Sequence, residues 1–518
     1  MAARAVGGVL AVALLAACGT LPTGAARLPT TALPPAADSP LVATARASTP
    51  SPEQSGARLL PLGGFSLDTR LQLARRARHS LDLQYYVLEN DASGRALLRE
   101  LRDAALRGVR VRLLVDDLYT GRTDALLRQL AAHPNVEVRL FNPFCCARDG
   151  GVTERFAASI LDFRRVNRRM HNKLFIADGV MAVAGGRNIG DEYFVRSTQQ
   201  NFVDIDAFLI GAVVPELSAI FDRFWNSEVV YPIEAIAPGG ADPAALRAAF
   251  DAGMDAGVPS TAELPSVDLL GYGPLGEELD AGRIGLVWGT ARAFADPPEK
   301  VFERDEARAK ANSVSADVMM TIWQARSELV ITSPYLIPGR QGIDAIRRLR
   351  EAGVKLTVVT NSLAATDEPL VHTGYSRYRV DMLKSGVDLY ELSPTRTQRV
   401  KRLGMFGSSQ GRLHAKTAVV DRERVFIGSM NLDPRSLGSN TELGIFIDSP
   451  ALARELLRVI NLSKLQGAYR LRLTPGGGIQ WLAFDDEHEL ILDDEPEASG
   501  WLQLHNLLLA PFVPEQLL

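Results

Sequence analysis

The chain has 518 residues, 46% apolar and 23% charged, an ordinary globular composition with enough length to bury two cores. A net charge of −4 and a pI near 6.1 give no overall basic field, so nucleic acid is not an expected partner. The three cysteines, Cys18, Cys145 and Cys146, cannot build a disulfide framework or a Cys-rich zinc site, and the adjacent pair reads as two thiols.

Residues 1–17 hold one charge, Arg4, and a short apolar run over 6–17, the layout of a secretory signal. The run ends Leu15-Ala16-Ala17-Cys18, which resembles a bacterial lipobox and implies lipidation of Cys18. By the same resemblance, Gly19 after the cysteine favours the outer membrane, so the expectation is an exported protein, membrane-anchored on the periplasmic side. Residues 20–57 are rich in Pro, Ala, Ser and Thr and predict a disordered tether with a reach of roughly 35 Å.

From residue 60 an α/β pattern begins. A helix is predicted over 71–79, a strand over 80–88, a helix over 94–106 and a buried strand over 109–115. The second half repeats this order: residues 325–332 parallel 77–84, and 353–359 parallel 108–114. Strands alternating with helices predict a mostly parallel sheet covered on both faces. Between 231 and 299 lies a Pro/Gly/Ala-rich connector with one strand-like run, 284–288; strands are also predicted over 479–484 and 489–492.

The chemistry concentrates in two copies of one pattern, His-x-Lys-x4-Asp. The first places His171, Lys173 and Asp178; the second places His414, Lys416 and Asp421. Asn188 and Asn431 follow at matching offsets behind Gly185-Gly186 and Gly428-Ser429, and 243 residues separate every corresponding pair. Four polar positions in one register indicate a duplicated unit. If His and Lys lie on a strand, residues two apart share a face, so an imidazole and an ammonium stand side by side.

These motifs resemble the phospholipase D superfamily. The strings over 185–194 and 428–436, with Asn440-Thr441-Glu442-Leu443, are similar to its bacterial cardiolipin synthase branch, and most of all to the C type. The resemblance implies two α/β/α lobes related by a pseudo-twofold axis, with the motif strands meeting at the lobe interface. The expected organisation is a signal peptide over 1–17, a disordered tether over 18–57, a first lobe over 58–228 and a connector over 229–311. A second lobe over 312–468 and a C-terminal extension over 469–518 follow.

Two imidazoles flanking one phosphodiester suit covalent catalysis: one attacks phosphorus, the other protonates the leaving alkoxide and later deprotonates the acceptor. The resemblance makes His171 the nucleophile and His414 the acid/base. Lys173, Lys416, Asn188 and Asn431 would donate to the non-bridging oxygens. The motifs hold no carboxylate cluster, so neither metal nor cofactor is expected. Asp178 and Asp421 read as ties for a turn. Resemblance and strand pattern place Asp204 behind His171 and Glu442 behind His414 as orienting carboxylates, with Asp206 the rival of Asp204.

Basic residues precede each motif: Arg164, Arg165, Arg168 and Arg169, then Arg396, Arg399, Lys401 and Arg402. They suit anionic headgroups at a bacterial membrane surface, and Met405 and Phe406 suit insertion into the lipid interface. His372 is a candidate for the acceptor side of the cleft. The leading expectation is phosphatidyl transfer that makes cardiolipin from phosphatidylglycerol, with phosphatidylglycerol or phosphatidylethanolamine as donor. A hydrolase releasing phosphatidic acid is the alternative, and a metal-independent nuclease a weaker one.

Overall fold

The computed structural model describes residues 21–22, 27–237, 239–255, 264–311, 313–399, 409–485 and 488–515. Within them one twisted sheet runs through the molecule. In the first lobe the strands lie in the order Val230–Pro232, Val136–Phe141, Arg110–Asp116, Ser80–Tyr85, Leu174–Ala177, Met181–Gly185, Asp206–Gly211 and Ser55–Leu60. The second lobe runs Val287–Ala295, Leu443–Asp448, Arg424–Gly428, Thr417–Val420, Glu328–Thr332, Lys355–Asn361 and Asp388–Leu392. Beyond it lie Ala468–Leu473, Ile479–Asp485 and His488–Leu492. Ser55–Leu60 joins Val287–Ala295 through the pairs Ser55↔Gly289, Gly56↔Trp288 and Ala57↔Val287. Reading outward from that seam, the two halves list equivalent strands, which is the expected pseudo-twofold.

Three expectations are corrected. The sheet is mixed: only Ser80–Tyr85, Arg110–Asp116 and Val136–Phe141 run parallel in the first lobe, with their counterparts in the second. The motif strands return through tight turns and therefore pair antiparallel. The predicted connector supplies Val287–Ala295, the innermost strand of the second lobe, so its residues are structural from there on. Finally, residues 27–57 are not a tether.

That segment is bound along the first lobe by contacts its composition does not announce. Thr30 and Ala32 donate from their backbones to Asn226 and Asp222, while Arg112 and Arg139 donate to the carbonyls of Thr30 and Leu28. Ser39 caps the helix Pro40–Ser48, which buries Leu41 and Val42, and its hydroxyl also donates to Asp178 at 2.5 Å. The signal and Cys18 lie outside the described residues.

Asp178 and Asp421 do what a tie should. Asp178 accepts backbone N–H bonds from Arg78, His79 and Ser80, and Asp421 accepts them from Arg326, Ser327 and Glu328. Both sit at positive φ, 49° and 53°, where a short polar side chain is tolerated. Each thereby fixes the start of the neighbouring strand that carries its motif strand. The apolar core is shared: Met170, Leu174 and Ile205 from one lobe cluster with Leu413, Ala415 and Leu443 from the other. The Cys145 and Cys146 sulfurs lie 2.8 Å apart as thiols.

Candidate active site

His171 and His414 face a common cleft of about 1260 Å³ between the lobes. The apolar halves of the motifs form strands, Leu174–Ala177 and Thr417–Val420, whereas each His-x-Lys lies in the extended entry before its strand. Those entries pair across the interface. The His171 N–H donates to the Thr441 carbonyl at 2.9 Å, and the His414 N–H to the Val203 carbonyl at 2.8 Å. A short parallel pair, Gln200–Val203 with Gln410–Leu413, adds a second crossing.

The carboxylates are crossed relative to expectation. His171 Nδ1 meets Glu442 Oε2 at 3.0 Å, and His414 Nδ1 meets Asp204 Oδ2 at 2.6 Å. Each histidine is therefore oriented by the opposite lobe. Resemblance and strand pattern pointed to the two carboxylates but not to their pairing, because within-lobe proximity is no guide when two entries cross. Asp206 is excluded as an orienter: it pairs with Arg70 and Arg187 and accepts from Ser66.

The two copies also explain a difference in the motifs. A Cβ at Gly186 would lie 2.2 Å from Asp204 Oδ1, so the first copy requires glycine there. Its counterpart, Ser429, donates to Glu442 Oε2 at 2.5 Å, and Ser436 donates to Oε1 at 2.8 Å. Asp296 Oδ2 accepts the Glu442 N–H at 3.0 Å and is itself held by Lys300 Nζ at 2.9 Å.

Charge follows from burial. Burial and then the Lys173 ammonium push His171 down to about 4, and burial with Lys416 also lowers His414. Burial alone would raise Asp204 and Glu442, yet the facing imidazoles and the nearby lysines together hold both below their ordinary values, Asp204 at about 2. An ionised carboxylate facing Nδ1 requires the proton there, so each Nε2 of a neutral ring carries the lone pair. Burial lowers both lysines, Lys416 to about 8, with mutual repulsion adding to the fall of Lys173. Each donates to the carbonyl of its own histidine, Lys173 at 2.6 Å, which uses one of three donors. An anionic phosphate between the rings would restore the protons that burial removes.

Asn188 and Asn431 both line the cleft. Asn188 accepts from the Val87 N–H and donates to Tyr193 Oη, while Asn431 Oδ1 is buried with no partner among the described residues. Sequence reasoning missed Tyr86 and Tyr193, whose rings meet His171 and His414 edge-on at 5.1 and 5.3 Å. It also missed the cleft-lining Arg412, Arg435, Glu89, Glu192, Asp367 and Glu368. Glu192 and Tyr193 sit inside the string over 185–194 and Arg435 inside that over 428–436, which was the available signal. His372 is not a cleft residue: it is buried against Tyr375 and close to Glu391 and Glu495.

Several residues of the basic stretches are bonded within the protein. Arg169 pairs with Asp116, Arg165 with Asp162, Arg168 donates to the Lys300 carbonyl, and buried Arg396 donates to the Phe484 carbonyl. Arg164 is exposed; Lys401, Arg402, Met405 and Phe406 lie outside the described residues.

A pH effect on stability follows. The unfolded chain protonates a histidine near 6.5, whereas folded His171 waits until about 4. Between those values the unfolded state binds more protons, so stability falls as pH drops through this window, by about 3 kcal/mol for this group. Melting temperature against pH should show that fall, and His171→Asn should reduce it while the share of His414 remains.

The family model described as cardiolipin synthase, PLD-like domain matches residues 71–225 and 318–462, more than half of the chain. The chain belongs to this family. It is an enzyme of the phospholipase D, phosphatidyltransferase type. Cardiolipin synthase C of Escherichia coli is 40% identical to it over 435 residues, 83% of this chain and 89% of that protein. An uncharacterized protein of Helicobacter pylori (strain 26695) is 32% identical over 408 residues, 78% of each chain. Among solved structures, a phosphatidylserine synthase of Haemophilus influenzae superposes with a TM-score of 0.55 over 89% of this chain and 95% of its own. At 14% identity that likeness shows the phospholipase D fold alone.

Proposed function

We propose that this family member transfers a phosphatidyl group from one phospholipid to the hydroxyl of phosphatidylglycerol, making cardiolipin. The observation that carries the reading is the pair of imidazoles facing one cleft, each held through Nδ1 by a carboxylate of the other lobe. His171 Nε2 attacks phosphorus, and the bond to the donor headgroup oxygen breaks. His414, protonated in the field of the bound phosphate, gives its proton to that oxygen. In the second step His414 takes the acceptor's hydroxyl proton, the new oxygen–phosphorus bond forms and His171 leaves. Lys173 and Lys416 stabilise the charge on the non-bridging oxygens throughout.

The donor is phosphatidylglycerol or phosphatidylethanolamine. Glu89, Glu192, Asp367 and Glu368 on the cleft wall suit an ammonium headgroup. Supplied with defined phospholipids, the purified enzyme should divert product from phosphatidic acid to cardiolipin as phosphatidylglycerol is added. It should do so in the presence of chelator, and Lys173→Ala or Lys416→Ala should each cost on the order of 10²-fold or more. Phosphatidic acid at every acceptor concentration would make it a hydrolase. Plasmid cleavage in chelator would favour the nuclease.

Export and acylation at Cys18 complete the reading, supported by the string Leu15-Ala16-Ala17-Cys18. Among the described residues no helix is long and apolar enough to cross a membrane. An unmodified Cys18 in the intact mass of the processed chain would refute the anchor.

A further inference from the structure

Two apolar segments stand in solvent on opposite walls of the active-site cleft. On the first lobe, Val152 and Phe156 line the cleft, and the Phe156 ring meets that of Phe163 at 5.8 Å. Directly beyond them Leu161 is fully exposed and Ile160 is 66% exposed. The segment is not loosely attached: Arg155 is buried beneath it, bonded to Asp117 at 3.1 Å.

On the second lobe the helix Gly500–Leu509 has its sides inverted. Its one buried residue is the polar Asn506, whose amide donates to the Pro369 carbonyl at 2.9 Å. Trp501, Leu504, Leu507 and Leu508 face outward, Trp501 at 74% and Leu507 at 71% exposure. A helix stabilised by packing alone would turn those four residues inward. From residue 499 to 514 the chain carries no Asp, Glu, Lys or Arg. The segment borders the cleft: Val513 lines it, Arg377 holds the Ala510 carbonyl at 2.6 Å, and Pro369 opens the helix whose Leu370 and Val371 line the same wall.

We propose that these two segments are prongs that dip into the surface of a phospholipid bilayer and hold the cleft mouth against it. The proposal rests on the reading that the substrates are phospholipids. A lipid surface is favoured over a second copy of the chain because the prongs straddle the opening. A protein covering both would close the mouth, whereas a bilayer covers both and supplies the cleft. An uncharged helix presenting Trp and Leu on one face suits the headgroup–acyl boundary, and exposed Arg164 beside the first prong suits anionic headgroups.

The test uses the full chain and vesicles of phosphatidylethanolamine and phosphatidylglycerol at about 3:1 with brominated acyl chains, which quench tryptophans only on contact. Of the five tryptophans, Trp501 alone is strongly exposed; Trp225 and Trp481 are buried and Trp288 and Trp323 half-buried. Quenching is expected in the wild type and should be lost in Trp501→Phe. Adding Leu161→Trp to Trp501→Phe should restore it, which reports the first prong independently. The triple variant Leu161→Asp, Leu504→Asp, Leu508→Asp should turn over vesicle substrate at least about tenfold more slowly, yet stay within about twofold on a monomeric short-chain phospholipid. Absence of quenching, or quenching that survives Trp501→Phe, overturns the proposal. So does a dimer in sedimentation that Leu504→Asp dissolves. Failure of the wild type on the short-chain substrate would count against the proposed reaction instead, and quenching would still decide the docking.

Discussion

With His171 replaced by alanine, turnover should fall by about 10⁴-fold or more, and no acid-labile phosphate should be recovered on the chain. His414→Ala should fail differently. Given an ordinary phospholipid it should be as inactive as His171→Ala, because nothing protonates the departing alkoxide. Given a donor whose leaving group needs no proton, it should form the His171 adduct and then stall, because no base activates the acceptor. Quenching such reactions in base and mapping the phosphorylated peptide distinguishes the two. Phosphate on His414 would reverse the roles while leaving the two-step scheme in place.

The crossed carboxylates give the second large effect. Glu442→Gln should strip His171 of the partner that fixes its proton on Nδ1, and adduct formation from an activated donor should slow by about 10³- to 10⁴-fold. Asp204→Asn acts on His414 instead, so the adduct should form at near wild-type rate and its breakdown should slow. Had each carboxylate served the histidine of its own lobe, the two phenotypes would be exchanged. Single-turnover kinetics with an activated donor reads both steps. Equal damage to formation and breakdown in both variants would show that the carboxylates act only on the architecture.

Much of this was legible in the sequence because duplication made it redundant. His171 with His414 and Lys173 with Lys416 repeat at one offset, and the ties at Asp178 and Asp421 recur with the same backbone partners. The predicted strands over 80–88 and 109–115 are present as Ser80–Tyr85 and Arg110–Asp116. What failed has a common physical cause. The pairing of Asp204 and Glu442, the seam strand Val287–Ala295 and the bound arm from Leu28 to Ser39 depend on contacts between segments about 80 to 270 residues apart. Composition reads local preference, and a Pro-rich arm whose carbonyls accept from Arg112 and Arg139 is ordered by partners that local preference does not contain. Within the basic stretches, Arg169 and Arg396 look like surface charge until their acceptors are known.

The reach from His171 to Glu442 spans 271 residues of chain. At 5–20 residues per second, a ribosome takes about 15–50 s to cover that distance. During that interval the first lobe can fold, but its histidine has no carboxylate to set its tautomer, and the cleft lacks its opposite wall. A chain stopped before Glu442 is therefore expected to be inert, which assay of such a truncation would check. The crossing makes the chemistry of the first lobe conditional on a residue near the end of the second, so half of the duplicated chain carries less than half of the site.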